Sequence, residues 1–210
     1  MPPPFYAHDP FLALHLALQR SWLDVPAAAL STACEGWALA LLALATFGWA
    51  EGSARRLAAV YLPFAVALLA SGAAVQELKD VFATPRPLAI YGDQVRVGLE
   101  PLFQFGFPSG HSSAVATFGV YALLAYGRRG GWALALVVLG GLSRVYLGAH
   151  WVTDVLGGWA LGSLLGGGAY TLAWRTFPRG RLAMLRAARS AARAGARVPA
   201  QAAAGTRSLT

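Results

Sequence analysis

The stretch Ser143–Asp154, SRVYLGAHWVTD, sets an arginine, a histidine and an aspartate between two long apolar segments. An ionised side chain at the middle of a membrane helix costs about 2.5–3.5 kcal/mol on insertion scales. We therefore read the stretch as the junction between two membrane-crossing helices, and its polar residues as chemistry.

Composition supports that reading. Of 210 residues, 57% are hydrophobic and only 12% are charged, with mean hydropathy +0.51. A soluble domain carries about 25% charged residues. The expected fold class is all-α, an integral membrane helical bundle. Cys34 is the only cysteine, so an intrachain disulfide is ruled out. The net charge of +8 gathers in a few loops and the tail, where it reads as membrane topology and not as nucleic-acid binding.

A crossing needs about 20 mostly apolar residues. Five segments qualify: 27–49, 57–78, 109–127, 131–149 and 151–174. The last carries Gly158, Gly162 and Gly166 at four-residue spacing, a pattern that lets helices approach closely in lipid. Residues 1–26 hold a shorter apolar run with His15, Arg20 and Asp24 in or beside it. They read as an N-terminal amphipathic helix at the membrane interface, anchored by Trp22; a sixth span is the alternative. No basic region precedes the run, which speaks against a cleavable signal. The expected organisation is thus 1–26 interfacial, 27–174 membrane-embedded, and 175–210 a basic tail, disordered after Val198.

With five spans, Arg55, Arg56, Arg128, Arg129 and the tail arginines fall on one side, which the positive-inside rule makes cytoplasmic. The opposite face receives three polar motifs: KDVFATPRP (Lys79–Pro87), FPSGHSS (Phe107–Ser113) and the opening stretch. In the first, Pro85 and Pro87 interrupt the helix and fold Arg86 back toward Lys79, and two close cations suit a dianion. The bland alternative is a basic loop touching headgroups. In the second, Ser109 is a good N-cap and Gly110 allows close backbone approach at a helix start, where amides and dipole favour an anion. His111 sits beside that point. A plain capped helix is the alternative. In the third, His150 and Asp154 are four apart and share a helix face. A carboxylate on one ring nitrogen leaves the other free to attack, and Arg144 offers a planar fork to phosphate oxygens. A buried His–Asp bond that only packs helices stays open. So does metal ligation by His111, His150 and Asp154, although no HExxH pair or cysteine cluster accompanies them.

Lys-x6-Arg-Pro, Pro-Ser-Gly-His and Ser-Arg-x5-His-x3-Asp together resemble the three-part signature of the type 2 phosphatidic acid phosphatase superfamily. Lys79, Arg86, Pro87, Pro108, Ser109, Gly110, His111, Ser143, Arg144, His150 and Asp154 all match, and the resemblance covers residues 27–174. Vanadium-dependent haloperoxidases share the signature but are soluble and larger. The compact bacterial members are lipid phosphatases acting on undecaprenyl diphosphate, phosphatidylglycerophosphate or lipid A. The resemblance implies His150 as nucleophile forming a phosphohistidine, Asp154 as its orienting partner, and His111 as proton donor and later base. Lys79, Arg86, Ser109, Gly110 and Arg144 would hold the phosphoryl group, with no metal and no other cofactor. It further implies a lipid phosphate substrate, placement in a bacterial cytoplasmic membrane, and a site on the extracytoplasmic face.

Four other polar positions carry expectations. Arg96, in the loop 88–107, reads as a headgroup contact or as a partner of Asp93. Glu35 is a charge inside the first span, lining a lipid entrance or facing the bundle. Glu77 and Asp80 flank Lys79 and could tune its position. A phosphotransferase using the same histidine and a non-catalytic phospholipid-binding protein remain alternatives.

Overall fold

The computed structural model describes residues 3–95 and 105–176. Arg96 and the tail beyond residue 176 lie outside them. Regular structure among the described residues is helical: α1 (Phe11–Leu18), α2 (Asp24–Ala33), α3 (Gly36–Glu51), α4 (Ala54–Phe82), α5 (Pro87–Tyr91), α6 (Gly110–Tyr126), α7 (Ala133–Tyr146) and α8 (Val152–Thr176), with 3-10 turns at Pro4–Tyr6, Ser21–Leu23, Gly92–Gln94 and Gly127–Gly130. Residues up to Leu172 form one compact unit. The second begins at Ala173, and only the end of α8 is described in it.

The helices α3, α4, α6 and α7 surround an apolar core of Leu39, Ala43, Phe47, Phe64, Val115, Phe118, Tyr121 and Ala133. The glycine row of α8 packs as its spacing predicts. A Cβ at Gly158, Gly162 or Gly166 would lie 2.5, 2.1 or 2.5 Å from the backbone oxygens of Ser109, Ser113 and Thr117. The two helices therefore touch backbone to backbone, a contact open only to residues without a side chain.

Two expected spans differ from the sequence reading. Residues 27–49 are not one helix. The segment breaks at Cys34–Glu35, and its halves, Ser21–Ala33 and Gly36–Glu51, meet at 71°. Glu35 stands at the break in extended backbone and accepts a hydrogen bond from Trp37 Nε1, so its carboxylate escapes the apolar interior. The fourth span, 131–149, shortens to the 14 residues of α7, because Leu147–Trp151 leave the helix to build the polar junction. By length and composition, one described helix is apolar enough to cross a bilayer, α4 with its continuation to Gln94. The bent pair is a second if counted as one span.

The N-terminal segment folds as short turns around α1. Phe11 and His15, one turn apart, are buried, whereas Leu14, Leu16 and Leu18 are exposed. His15 Nδ1 lies 3.1 Å from Val145 O, and Tyr146 OH donates to Asp24 Oδ1 at 2.6 Å. Of the polar residues that shorten this apolar run, His15 and Asp24 thus meet the end of α7, whereas the Arg20 side chain is exposed.

At one end of the bundle, Tyr126 OH donates to Glu51 Oε1 at 3.1 Å, joining the turn after α3 to the turn after α6. Arg55, Arg56, Arg128 and Arg129 stand exposed there. The three motifs gather elsewhere, around the start of α8.

Candidate active site

Backbone turns place each side chain. α4 ends when Ala83 takes φ +45, its N–H donating to Lys79 O at 2.8 Å. Pro85 and Pro87 then bar further helix. Arg86 in between is extended, buried, and donates through Nη1 to Ala149 O at 2.8 Å. Lys79, in the last turn of α4, is buried as well. The sequence reading that the prolines return Arg86 to the neighbourhood of Lys79 agrees with this path.

The second motif forms the start of α6. Ser109 is its N-cap, and its side chain accepts from Ser112 N at 3.4 Å and from Ser112 Oγ at 3.0 Å. Ser109 N donates to Asp154 O at 3.0 Å, which fixes this helix start to α8. His111 is the second residue of α6 and is half-buried.

The third motif explains its own spacing. Gly148 adopts φ +69, which glycine reaches without steric cost. The chain doubles back, so that Ala149 N and His150 N both donate to Arg144 O, at 3.0 and 3.3 Å. Arg144 and His150, six residues apart, are thereby brought together. Asp154 is the third residue of α8, and its Oδ2 accepts from Trp151 N at 3.1 Å, as in a capping box. The same oxygen lies 3.1 Å from His150 Nδ1. The expected pairing is present, but His150 precedes α8. The pair meets because Asp154 reaches back over the helix start, not because both residues occupy one helical face.

With Nδ1–H donated to Asp154, the His150 lone pair is at Nε2. Arg86 Nη1 lies 3.5 Å from that nitrogen. Burial first, then the charges of Arg86, Arg144 and Lys79, hold the His150 imidazole well below its usual pKa. That favours the neutral imidazole, the form able to act as a nucleophile. Arg144 donates to Ser31 Oγ on α2. Among the described residues no group of three or more His, Cys, Asp or Glu side chains is placed to hold a metal ion. His111, His150 and Asp154 therefore do not form the ligand set left open above. Glu77 and Asp80 are exposed on α4.

Several residues around the site carry no sequence signal. Tyr6 OH donates to Asp154 Oδ1 at 2.7 Å. Asp9 accepts from Val152 N, Thr153 N and Thr153 Oγ1 at 3.2, 2.7 and 2.6 Å, capping α8 from 143 residues away. Trp151 Nε1 donates to Pro85 O at 2.8 Å and ties the first motif to the third. A Cβ at Gly106 would lie 2.9 Å from Asp154 Oδ2. Only Trp151 and Gly106 are near a motif in sequence; the others act across more than a hundred residues.

Known proteins resemble this chain in sequence and in fold. The family model of the PAP2 superfamily matches residues 60–178. Phosphatidylglycerophosphatase B of Bacillus subtilis is 43% identical over 89 residues, 35% of this chain and 43% of that protein. An undecaprenyl-diphosphatase of Sulfolobus acidocaldarius is 38% identical over 87 residues, 40% of this chain and 41% of that protein. The chain thus spans less than half the length of these curated relatives. The crystal structure of Aquifex aeolicus LpxE superposes with TM-score 0.67 at 24% identity, covering 81% of this chain and 99% of that one. That likeness concerns the fold alone. A transmembrane PAP2-type phosphatidylglycerolphosphate phosphatase from Bacillus subtilis superposes with TM-score 0.57 at 26% identity, covering 80% of this chain and 85% of that one. The bundle is that of an integral membrane protein.

Proposed function

The chain belongs to the PAP2 superfamily, and on that premise we propose that it is a membrane lipid phosphatase working through a phosphohistidine on His150. The observation that carries the reading is the buried His150–Asp154 pair with Arg86 3.5 Å from His150 Nε2. A neutral imidazole with an oriented lone pair, facing cations, is suited to a phosphoryl group and to little else.

The reaction runs in two displacements. His150 Nε2 bonds to phosphorus while the bond to the leaving oxygen breaks on the far side. His111 gives its proton to that oxygen. Water then attacks the phosphohistidine, His111 takes a proton from it, and the nitrogen–phosphorus bond breaks. The sum is lipid phosphate plus water giving lipid alcohol plus phosphate; a lipid diphosphate gives the monophosphate. Lys79, Arg86 and Arg144, with the Ser109 hydroxyl and the Gly110 amide, hold the equatorial oxygens, so the scheme asks for no metal.

The substrate classes are those named for the relatives, a phosphatidylglycerol phosphate or an undecaprenyl diphosphate. Purified protein in detergent should release phosphate from one of them, with EDTA present. His150→Ala should bring release to background without loss of folded protein. Turnover by His150→Ala near the wild-type rate would remove the mechanism. The exposed arginine turns gather at another end of the bundle, which supports an extracytoplasmic site. A cysteine replacing Asp93 should react with an impermeant thiol reagent from outside intact cells, and one replacing Arg129 should not. The reverse pattern would put the site on the cytoplasmic face.

A further inference from the structure

We propose that Tyr6 is a positioning residue of the reaction, its phenol hydroxyl holding the Asp154 carboxylate in the orientation that aims His150. The proposal rests on the reading of His150 as nucleophile. Asp154 divides its two oxygens between separate tasks. Oδ2 takes His150 Nδ1 and Trp151 N, both at 3.1 Å. Oδ1 takes the Tyr6 hydroxyl at 2.7 Å. A carboxylate turns about a single bond, so fixing Oδ1 also fixes Oδ2, and with it the imidazole plane and the direction of the Nε2 lone pair.

The polarity of the contact is determined. A carboxylate only accepts, so the one phenol proton goes to Asp154. Nearby, Thr84 Oγ1 accepts from Phe107 N at 2.9 Å. Thr84 stands between Lys79 and Arg86 in the first motif, and Phe107 opens the second. Burial, then the charge of Asp154, holds the Tyr6 phenol well above its usual pKa, so it keeps the proton it donates. The hydroxyl of the N-terminal segment thus meets the third motif at Asp154.

A purely mechanical role is a different claim, and the structure separates the two. The Tyr6 ring stacks on Trp151 with centroids 4.4 Å apart and planes 12° from parallel. Phe11 packs on the same Trp151, Asp9 caps α8, and His15 meets Val145 O. Tyr6→Phe keeps the ring and all of these anchors and deletes only the hydroxyl. Asp9→Asn weakens the docking of the segment and leaves the hydroxyl in place.

Both variants should be compared with wild type for kcat, KM, vanadate inhibition and melting temperature, with sites counted by vanadate titration. Partners behind a reacting group are typically worth about 10–100-fold. Tyr6→Phe should therefore lose about 10-fold or more in kcat per site, with KM and the vanadate constant within about threefold. Asp9→Asn should lower the melting temperature and keep kcat per site within about threefold. If Tyr6→Phe retains kcat per site within threefold, or if both variants lose kcat and melting temperature in parallel, Tyr6 is a pin for the segment and the proposal is overturned. His150→Ala in the same series keeps the two readings apart. Its activity would sink the nucleophile, whereas an inactive His150→Ala beside a fully active Tyr6→Phe would sink only the role of Tyr6.

Discussion

At the motif end of the bundle Arg86 and Arg144 are 5% and 3% exposed, whereas Arg55, Arg56, Arg128 and Arg129 stand open at the other turns. The same residue type does two jobs. Burying a guanidinium costs several kcal/mol unless its donors are met. At the motif end Arg86 is anchored on a carbonyl, Ala149 O, and Arg144 on a hydroxyl, Ser31 Oγ. At the other end the buried ionisable group is acidic, Glu51, held by Tyr126, and the arginines face outward. Burial with an anchored guanidinium separates the arginines of the motif end from those of the other turns.

That contrast can be broken by substitution. The largest effect expected in the series is at Arg86. Removing one preorganised charge donor costs about 100- to 1000-fold in kcat, so Arg86→Ala should fall in that range in a phosphate-release assay. A loss of less than tenfold would make its burial irrelevant to catalysis. Lys79 gives the intermediate case. It is the only lysine among 17 basic residues, and it is buried. An ammonium is a compact point charge and a guanidinium a wide fork. Lys79→Arg keeps the charge but crowds two forks already present, and a shift of about 1 Å can cost about 100-fold. Most turnover should be lost, on a protein that still folds and inserts. Retention of more than about half would reduce position 79 to a generic charge. The smallest effect is at the far end. Arg129→Ala should leave kcat within about twofold, and a deeper loss there would erase the distinction between the two ends.

The motif end was the more legible one for a physical reason. Lys79, Arg86, His111, Arg144, His150 and Asp154 are costly in apolar surroundings, so each stands out in the sequence. Ser109 and Gly110 were readable as a helix start. The three motifs also come in short local runs whose turns depend on Pro85, Pro87 and Gly148. Tyr6, Asp9 and Ser31 had no such signal. Each is ordinary for its segment and gains meaning from a partner more than a hundred residues away. The break at Cys34–Glu35 was hidden because the apolar run continues across it, and only Glu35 hinted at a reason to stop. The shortening of α7 was hidden likewise, since Leu147 and Ala149 are as apolar as the helix they leave.

The glycine row of α8 also bears on how the proposed reaction would select its substrate. With Gly158, Gly162 and Gly166 set against the α6 backbone, the seam contains no flexible side chains to yield under load. Ser109 N, bonded to Asp154 O, clamps its upper edge. His111 stands in the first turn of α6, and His150 lies just before α8. In the proposed reaction this main-chain contact would set the spacing between them, as in a caliper. A substrate of the proposed reaction would bring its phosphorus to a gap of given width, tolerance for different lipids would come from parts outside the seam, and a side chain as small as alanine at Gly162 would reset the gauge.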